Sequence, residues 1–143
     1  MPANPPENMP RITPYLLYED VAAALDWLAK AFGFRERTRM PGPDGTVTHA
    51  EMELAGGVIM MGHPGPDYQS PKRIGHTTQL VLVYVDDVDK HFERAKAAGA
   101  GIESEPEDQV YGDRTWNATD PEGHRWTFAQ HVKDVAPEDM KSS

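Results

Sequence analysis

Two segments of this chain carry the same punctuation at one fixed distance. EDVAAALDWLAKAFGF, residues 19–34, has Asp20 before its first apolar residue, and DDVDKHFERAKAAGA, residues 86–100, has Asp87 in the same place. The offset is 87 less 20, or 67 positions. Each Asp is a short side chain that can accept hydrogen bonds from the free N–H groups at a helix start. Apolar residues follow at helical spacing, Val21, Ala24, Leu25, Leu28 and Phe32 in the first segment and Val88, Phe92 and Ala95, with His91 on the same stripe, in the second. Val88, Phe92 and Ala95 stand 67 positions after Val21, Leu25 and Leu28. Gly33 and Gly99 supply the stops. A capped amphipathic helix recurring at constant offset restricts the chain to two copies of one supersecondary unit.

The flanking residues read as strands. RITPYLLYED is a short strand before the first helix, with Pro14 marking an edge or a bulge. FRERTRM and GTVTHAEMEL lie on either side of the turn-rich PGPDG, and AGG leads into VIMMGH, so residues 10–63 form a β-α-β-β-β module. PGPDYQSPKRIG, residues 64–75, has the Pro, Gly and polar content of a linker. HTTQLVLVYVDD, the second helix, the acidic GIESEPEDQ, and the pair VYGDRTWNAT and HRWTFAQHV around DPEG repeat the module over residues 76–132. Gly123 follows Gly57 by 66 positions, which predicts one residue lost between helix and closing hairpin. Residues 1–9 hold three Pro and are expected to be mobile; residues 133–143 form a polar tail.

Composition narrows the function classes. The chain has no Cys, so disulfides, thiolate nucleophiles and Cys-ligated zinc are excluded. Its net charge is −9 and no cluster of Lys and Arg appears, which argues against nucleic acid and anionic membrane as partners. No apolar run approaches the roughly 20 residues of a membrane span, and the start MPANPPENMPR lacks the features of a signal peptide. A cytoplasmic protein with a small-molecule partner is expected.

TPYLLYEDVAAALDWLAKAFGF, VYVDDVDKHFERAKAAGA and YGDRTWNATDPEGHRWTF together resemble the vicinal oxygen chelate superfamily of glyoxalases, extradiol dioxygenases, fosfomycin-modifying enzymes and bleomycin resistance proteins. HAEMELAGGVIMMGHP with its Pro/Gly linker looks closest to the PhnB-like and bleomycin-resistance-like branches. The resemblance implies an α+β fold in which two tandem βαβββ modules form a curved, cup-shaped mixed sheet with helices outside. It also implies a homodimer, since these are common in the family. Metalloenzymes of the family place ligands on the first and last strand of each module. Counting from the caps and turn glycines, those positions are Thr13, Leu80, Met61 and Thr127. None is a credible ligand for a divalent first-row metal, which wants imidazole or carboxylate. Neighbours within one residue offer no His, Asp or Glu either, so neither metal nor other cofactor is expected.

The remaining candidates are ligand contacts. Strand alternation from the same positions aims Tyr15, Met61, Leu80, Leu82 and Thr127 into the cup, with Tyr84 after Leu82. Arg114 and Trp116 share one face of the closing hairpin. If that face is inward, they offer a cation and a stacking wall; if outward, Trp116 packs beneath a helix and Arg114 pairs with surface carboxylates. His49 is a further candidate contact; it shares a face of the third strand with Glu51, at a spacing that could form a general base or half a metal site. No catalytic role is assigned to any residue. The expected function is metal-independent binding of a small, partly aromatic molecule in the cup. The alternative is a metal-dependent or acid/base enzyme (lyase, isomerase or dioxygenase) with a non-standard site seeded by His49 and Glu51.

Overall fold

The computed structural model describes residues 1–141, and the fold divides into two units, Met1–Ser70 and Pro71–Ser143. In the first, β1 (Tyr15–Leu17) leads into α1 (Val21–Phe32), followed by β2 (Arg35–Pro41), β3 (Val47–Leu54) and β4 (Gly57–Gly62). The sheet order is β1-β4-β3-β2, with β1 parallel to β4 and the other pairs antiparallel. The Asp20 carboxylate accepts from the Ala23 N–H at 3.0 Å, a cap worth about 1 kcal/mol. Gly33 ends the helix in the left-handed region at φ 82°. Between these ends Val21, Leu25, Leu28 and Phe32 are buried, and Leu16, Ala50, Met52, Ile59 and Met61 are among the buried residues of the sheet. β1 is shorter than its sequence suggests because Pro14 has no N–H for the ladder, although its carbonyl still accepts from Met60 at 2.9 Å.

The second unit repeats this plan. It runs α2 (Pro71–Ile74), β5 (Leu80–Tyr84), α3 (Val88–Ala97), β6 (Gly101–Asp108), β7 (Asp113–Thr119) and β8 (Arg125–His131). Its sheet order is β5-β8-β7-β6, with β5 parallel to β8. Asp87 caps α3 through the Lys90 N–H at 3.0 Å. The core is aromatic: Trp116 meets Phe92 edge-on at 5.3 Å and stacks on Phe128 at 5.3 Å, while Trp126 lies parallel to Phe128. His91 completes the layer with its ring 4.1 Å from Phe128. Two mixed sheets, each flanked by its helix, thus realise the tandem βαβββ plan. The short α2 was not foreseen in the segment read as a linker.

The repeat is more regular than the glycine spacing suggests. Tyr15 pairs with Met60 and Leu16 with Met61; Leu82 pairs with Thr127 and Val83 with Phe128. Every partner is displaced by 67 positions, on first and last strand alike. The counterpart of Gly123 is therefore Gly56, not Gly57, and both turn glycines have positive φ, 90° and 89°. One residue is indeed lost before β7, since Ala50 pairs with Met61 where Trp116 pairs with Phe128. The longer DPEG turn restores it.

Candidate functional site

Each sheet has one face against its helix and one open face. In the first unit, Tyr15 and Leu17 stand exposed on the open side while Leu16 is buried. The Tyr15 hydroxyl lies 2.9 Å from His49 Nδ1, and His49 Nε2 lies 3.7 Å from Glu51. With the hydroxyl donating, the imidazole keeps its proton on Nε2, facing the carboxylate. Arg37 approaches Glu51 and Glu53 at 4.0 and 3.8 Å and offsets their charge. The glycine at position 62 makes room for this arrangement, because a Cβ there would stand 2.5 Å from the Tyr15 hydroxyl. The row joins an aromatic ring to an imidazole that can give or take a hydrogen bond.

The second unit's open face has its own row. Leu80, Leu82 and Tyr84 are exposed along β5. The Tyr84 hydroxyl donates to Asp113 at 2.7 Å; His131 reaches Asp113 through Nδ1 at 2.8 Å and Asp134 through Nε2 at 2.7 Å. Asp113 is only 4 % exposed. Burial pushes its carboxyl up, but the hydrogen bonds from His131 and Tyr84 outweigh burial and hold it below its ordinary value. The Asp113 carboxylate, followed by desolvation, raises the Tyr84 phenol. Asp134, then Asp113, hold the His131 imidazolium above the ordinary 6.5. Farther along, the Thr127 hydroxyl donates to Asn117 at 2.6 Å, and the Asn117 amide donates to Ser104 at 2.7 Å.

This triad makes stability depend on pH in a defined direction. The depressed Asp113 contributes above the unfolded carboxyl value and loses that contribution as pH falls through its lower folded value. The raised His131 contributes fully below 6.5 and loses it as pH rises through its higher folded value. Both contributions are present together between about pH 4 and 6.5. Urea midpoints of wild type and His131→Gln at about pH 6 and about pH 9 check the alkaline side. The fall between the two pH values is expected to be smaller in the variant, and equal falls would contradict the assignment.

The structure places Tyr15, His49, Glu51, Leu80, Leu82 and Thr127 on open faces. It sends three other sequence candidates elsewhere. Met61 is fully buried toward α1, because the one-residue turn difference shifts β4; Met60 is the true counterpart of Thr127. Trp116 is fully buried against α3, and Arg114 on the same side forks onto Asp89 of α3 at 3.0 Å and Asp108 at 3.2 Å. The outward alternative for that strand face is the one the chain adopts. The Tyr84–Asp113–His131 triad was missed as a unit. Its signal was present: Tyr84 alternates with Leu82, Asp113 lies opposite Arg114, and His131 alternates with Thr127.

The positions that the resemblance assigns to metal ligands now read Thr13, Leu80, Met60 and Thr127. The Thr13 hydroxyl donates weakly to the Pro10 carbonyl at 3.4 Å and Thr127 is spent on Asn117. A thioether, an alkyl group and two hydroxyls do not suit a divalent metal. Among the described residues, no group of three or more His, Cys, Asp or Glu is arranged to hold one elsewhere.

The sequence pattern of the Glyoxalase/Bleomycin resistance protein/Dioxygenase superfamily matches residues 9–128. The chain belongs to this superfamily. Among solved structures, TioX from Micromonospora sp. ML1 is 38 % identical with a TM-score of 0.70, covering 89 % of this chain and all of that one. The uncharacterized protein Mb0911c of Mycobacterium bovis is 35 % identical over 139 residues, 94 % of this chain and 91 % of its own length. The fosfomycin resistance protein FosX from Listeria monocytogenes shares the superfamily fold with a TM-score of 0.63, covering 92 % of this chain and 98 % of that one; at 16 % identity the likeness is one of fold alone. Superfamily membership thus accounts for the two modules, while the residues at the usual ligand positions depart from its metalloenzymes.

Proposed function

We propose that the chain is a metal-independent, bleomycin-resistance-like binding protein that works as a homodimer and holds a small, partly aromatic molecule against its open sheet faces. One observation carries the reading. Tyr15, Leu80, Leu82 and Tyr84 are 46–56 % exposed on the first strand of each unit, where an edge left to solvent would ordinarily be charged or covered. These apolar rows sit beside polar tips already oriented by hydrogen bonds, Tyr15 with His49 and Asn117 with Thr127. Apolar area with a few directed polar groups is what a small-molecule site needs. The donor set at the ligand positions supports independence from metal. The net charge of −9 disfavours nucleic acid, and among the described residues no helix is long and apolar enough to cross a membrane. A chain without cysteine suits a cytoplasmic setting.

A second reading, acid/base catalysis, rests on His49 held between a phenol and a carboxylate. One experiment separates them. Thermal unfolding is followed with a panel of planar aromatic compounds, with and without chelator, and hits are titrated by calorimetry alongside sedimentation equilibrium. A ligand at 100 times its dissociation constant is expected to add about 2.7 kcal/mol, undiminished by chelator. Tyr15→Ala and Leu82→Ala each weaken it about tenfold, a change of about 1.4 kcal/mol. A flat response across the panel, or binding abolished by chelator, overturns the proposal. Turnover of a bound compound that disappears in His49→Gln selects the second reading.

A further inference from the structure

A cavity of about 520 Å³ opens in the second unit where α2, the loop before β5, the α3–β6 turn and the β7–β8 turn converge. The main chain sets its walls. Lys72 N–H donates to the Glu122 carbonyl at 2.9 Å, and a Cβ on Gly123 would stand 2.6 Å from Lys72 N. The short helix and the hairpin turn therefore touch backbone to backbone, and the volume beside them is held open by fixed elements. Its size falls in the range of small-molecule sites.

The side chains on this wall have an unusual charge balance for an acidic protein. Lys72, His76 and Arg125 line it, together with the hydroxyls of Thr77 and Thr119. Acidic residues outnumber Lys and Arg by 23 to 14 in the chain, and Arg35, Arg37, Arg39 and Arg114 all lie beside carboxylates. No carboxylate among the described residues lies within ion-pair distance of Lys72, His76 or Arg125. The one acid on the wall, Asp120, is 6 % exposed and committed to its own turn. Its Oδ1 accepts from the Glu122 and His124 N–H groups at 3.1 and 3.0 Å, and Oδ2 accepts from Trp126 Nε1 at 3.1 Å. Three donors thus spread the one negative charge, while Lys72 and Arg125 remain without one.

We infer that this cavity binds the phosphate or carboxylate group of a small molecule. Arg125 supplies a planar fork matched to either oxyanion, Lys72 a point charge, and the two threonines neutral donors. Against a net charge of −9, which repels anions from the surface at large, a concave wall of unopposed cations marks where one can settle. The site shares no residue with the contacts proposed on the open faces, so either assignment can fail alone.

The test is a titration of the full, ¹⁵N-labelled chain with inorganic phosphate, glucose 6-phosphate and citrate, ionic strength being held constant with sodium chloride. At least one probe is expected to give saturating amide shifts confined to residues 71–77, 99–101 and 119–125, with millimolar or tighter affinity. Phosphate compounds acting without citrate identify a phosphate site, and citrate acting alone a carboxylate site. Lys72 and Arg125 are exposed, so the Lys72→Gln/Arg125→Gln double variant should keep its urea midpoint while binding weakens at least about tenfold. Shifts that fail to saturate, that sodium chloride reproduces, or that persist with unchanged affinity in the double variant overturn the inference.

Discussion

Trp116→Ala is expected to destabilise the protein by about 3–5 kcal/mol, the usual cost of emptying a buried indole site. For a chain of this length that lowers the thermal midpoint by roughly 10 °C or more. The reason is local and specific. Trp116 is fully buried between the second sheet and α3, with Phe92 and Phe128 each 5.3 Å from its ring and His91 5.7 Å away. These neighbours sit on elements already fixed by the Asp87 cap and the β7–β8 ladder, so the cavity cannot collapse freely. Arg114→Ala, two residues away on the same strand, removes only exposed ion pairs with Asp89 and Asp108 and should leave the midpoint nearly unchanged. Thermal and urea unfolding of the two variants check this. Equal effects would mean that Trp116 does not anchor the module.

Asp120→Ala is the second large effect, expected at about 2–4 kcal/mol. This carboxylate accepts from the backbone N–H groups of Glu122 in the DPEG turn and of His124 just after it, and from buried Trp126 Nε1. Its removal takes the acceptor from an indole that is 1 % exposed and releases the turn that sets the register of β8. Asp120→Asn should recover only part of the loss, because the amide brings one acceptor and one donor where two acceptors are used. The double-mutant cycle with Trp126→Phe isolates the side-chain bond. Asp120→Ala should cost measurably less in the Trp126→Phe background, and strict additivity would show that the bond contributes nothing.

Much of the fold was legible because its signals are local. Asp20 and Asp87 cap helices by reaching only three residues ahead, and the stripes from Val21 and Val88 bury the faces their spacing predicts. The first-strand rows Tyr15–Leu17 and Leu80–Leu82–Tyr84 follow from alternation alone. The candidate site was legible only where no turn intervened. Met61 was aimed at the open face by counting from Gly57, and pairing Gly56 with Gly123 reverses it. Arg114 and Trp116 followed from a strand whose two faces are both rich in function-like side chains. Only contact with Phe92 and Asp89 of α3 distinguishes them.

The sequence by itself determined the two modules, their helices and the lack of metal-binding donors at the superfamily's ligand positions, which survives a slip of one residue. Tertiary structure decided which face of β4 and of β7 meets the helix and brought Tyr84, Asp113 and His131 together from three strands. The physical reason is the two-residue period of a strand. A single residue gained or lost in a turn exchanges its faces, and spacing alone does not say on which side of a strand that residue was inserted.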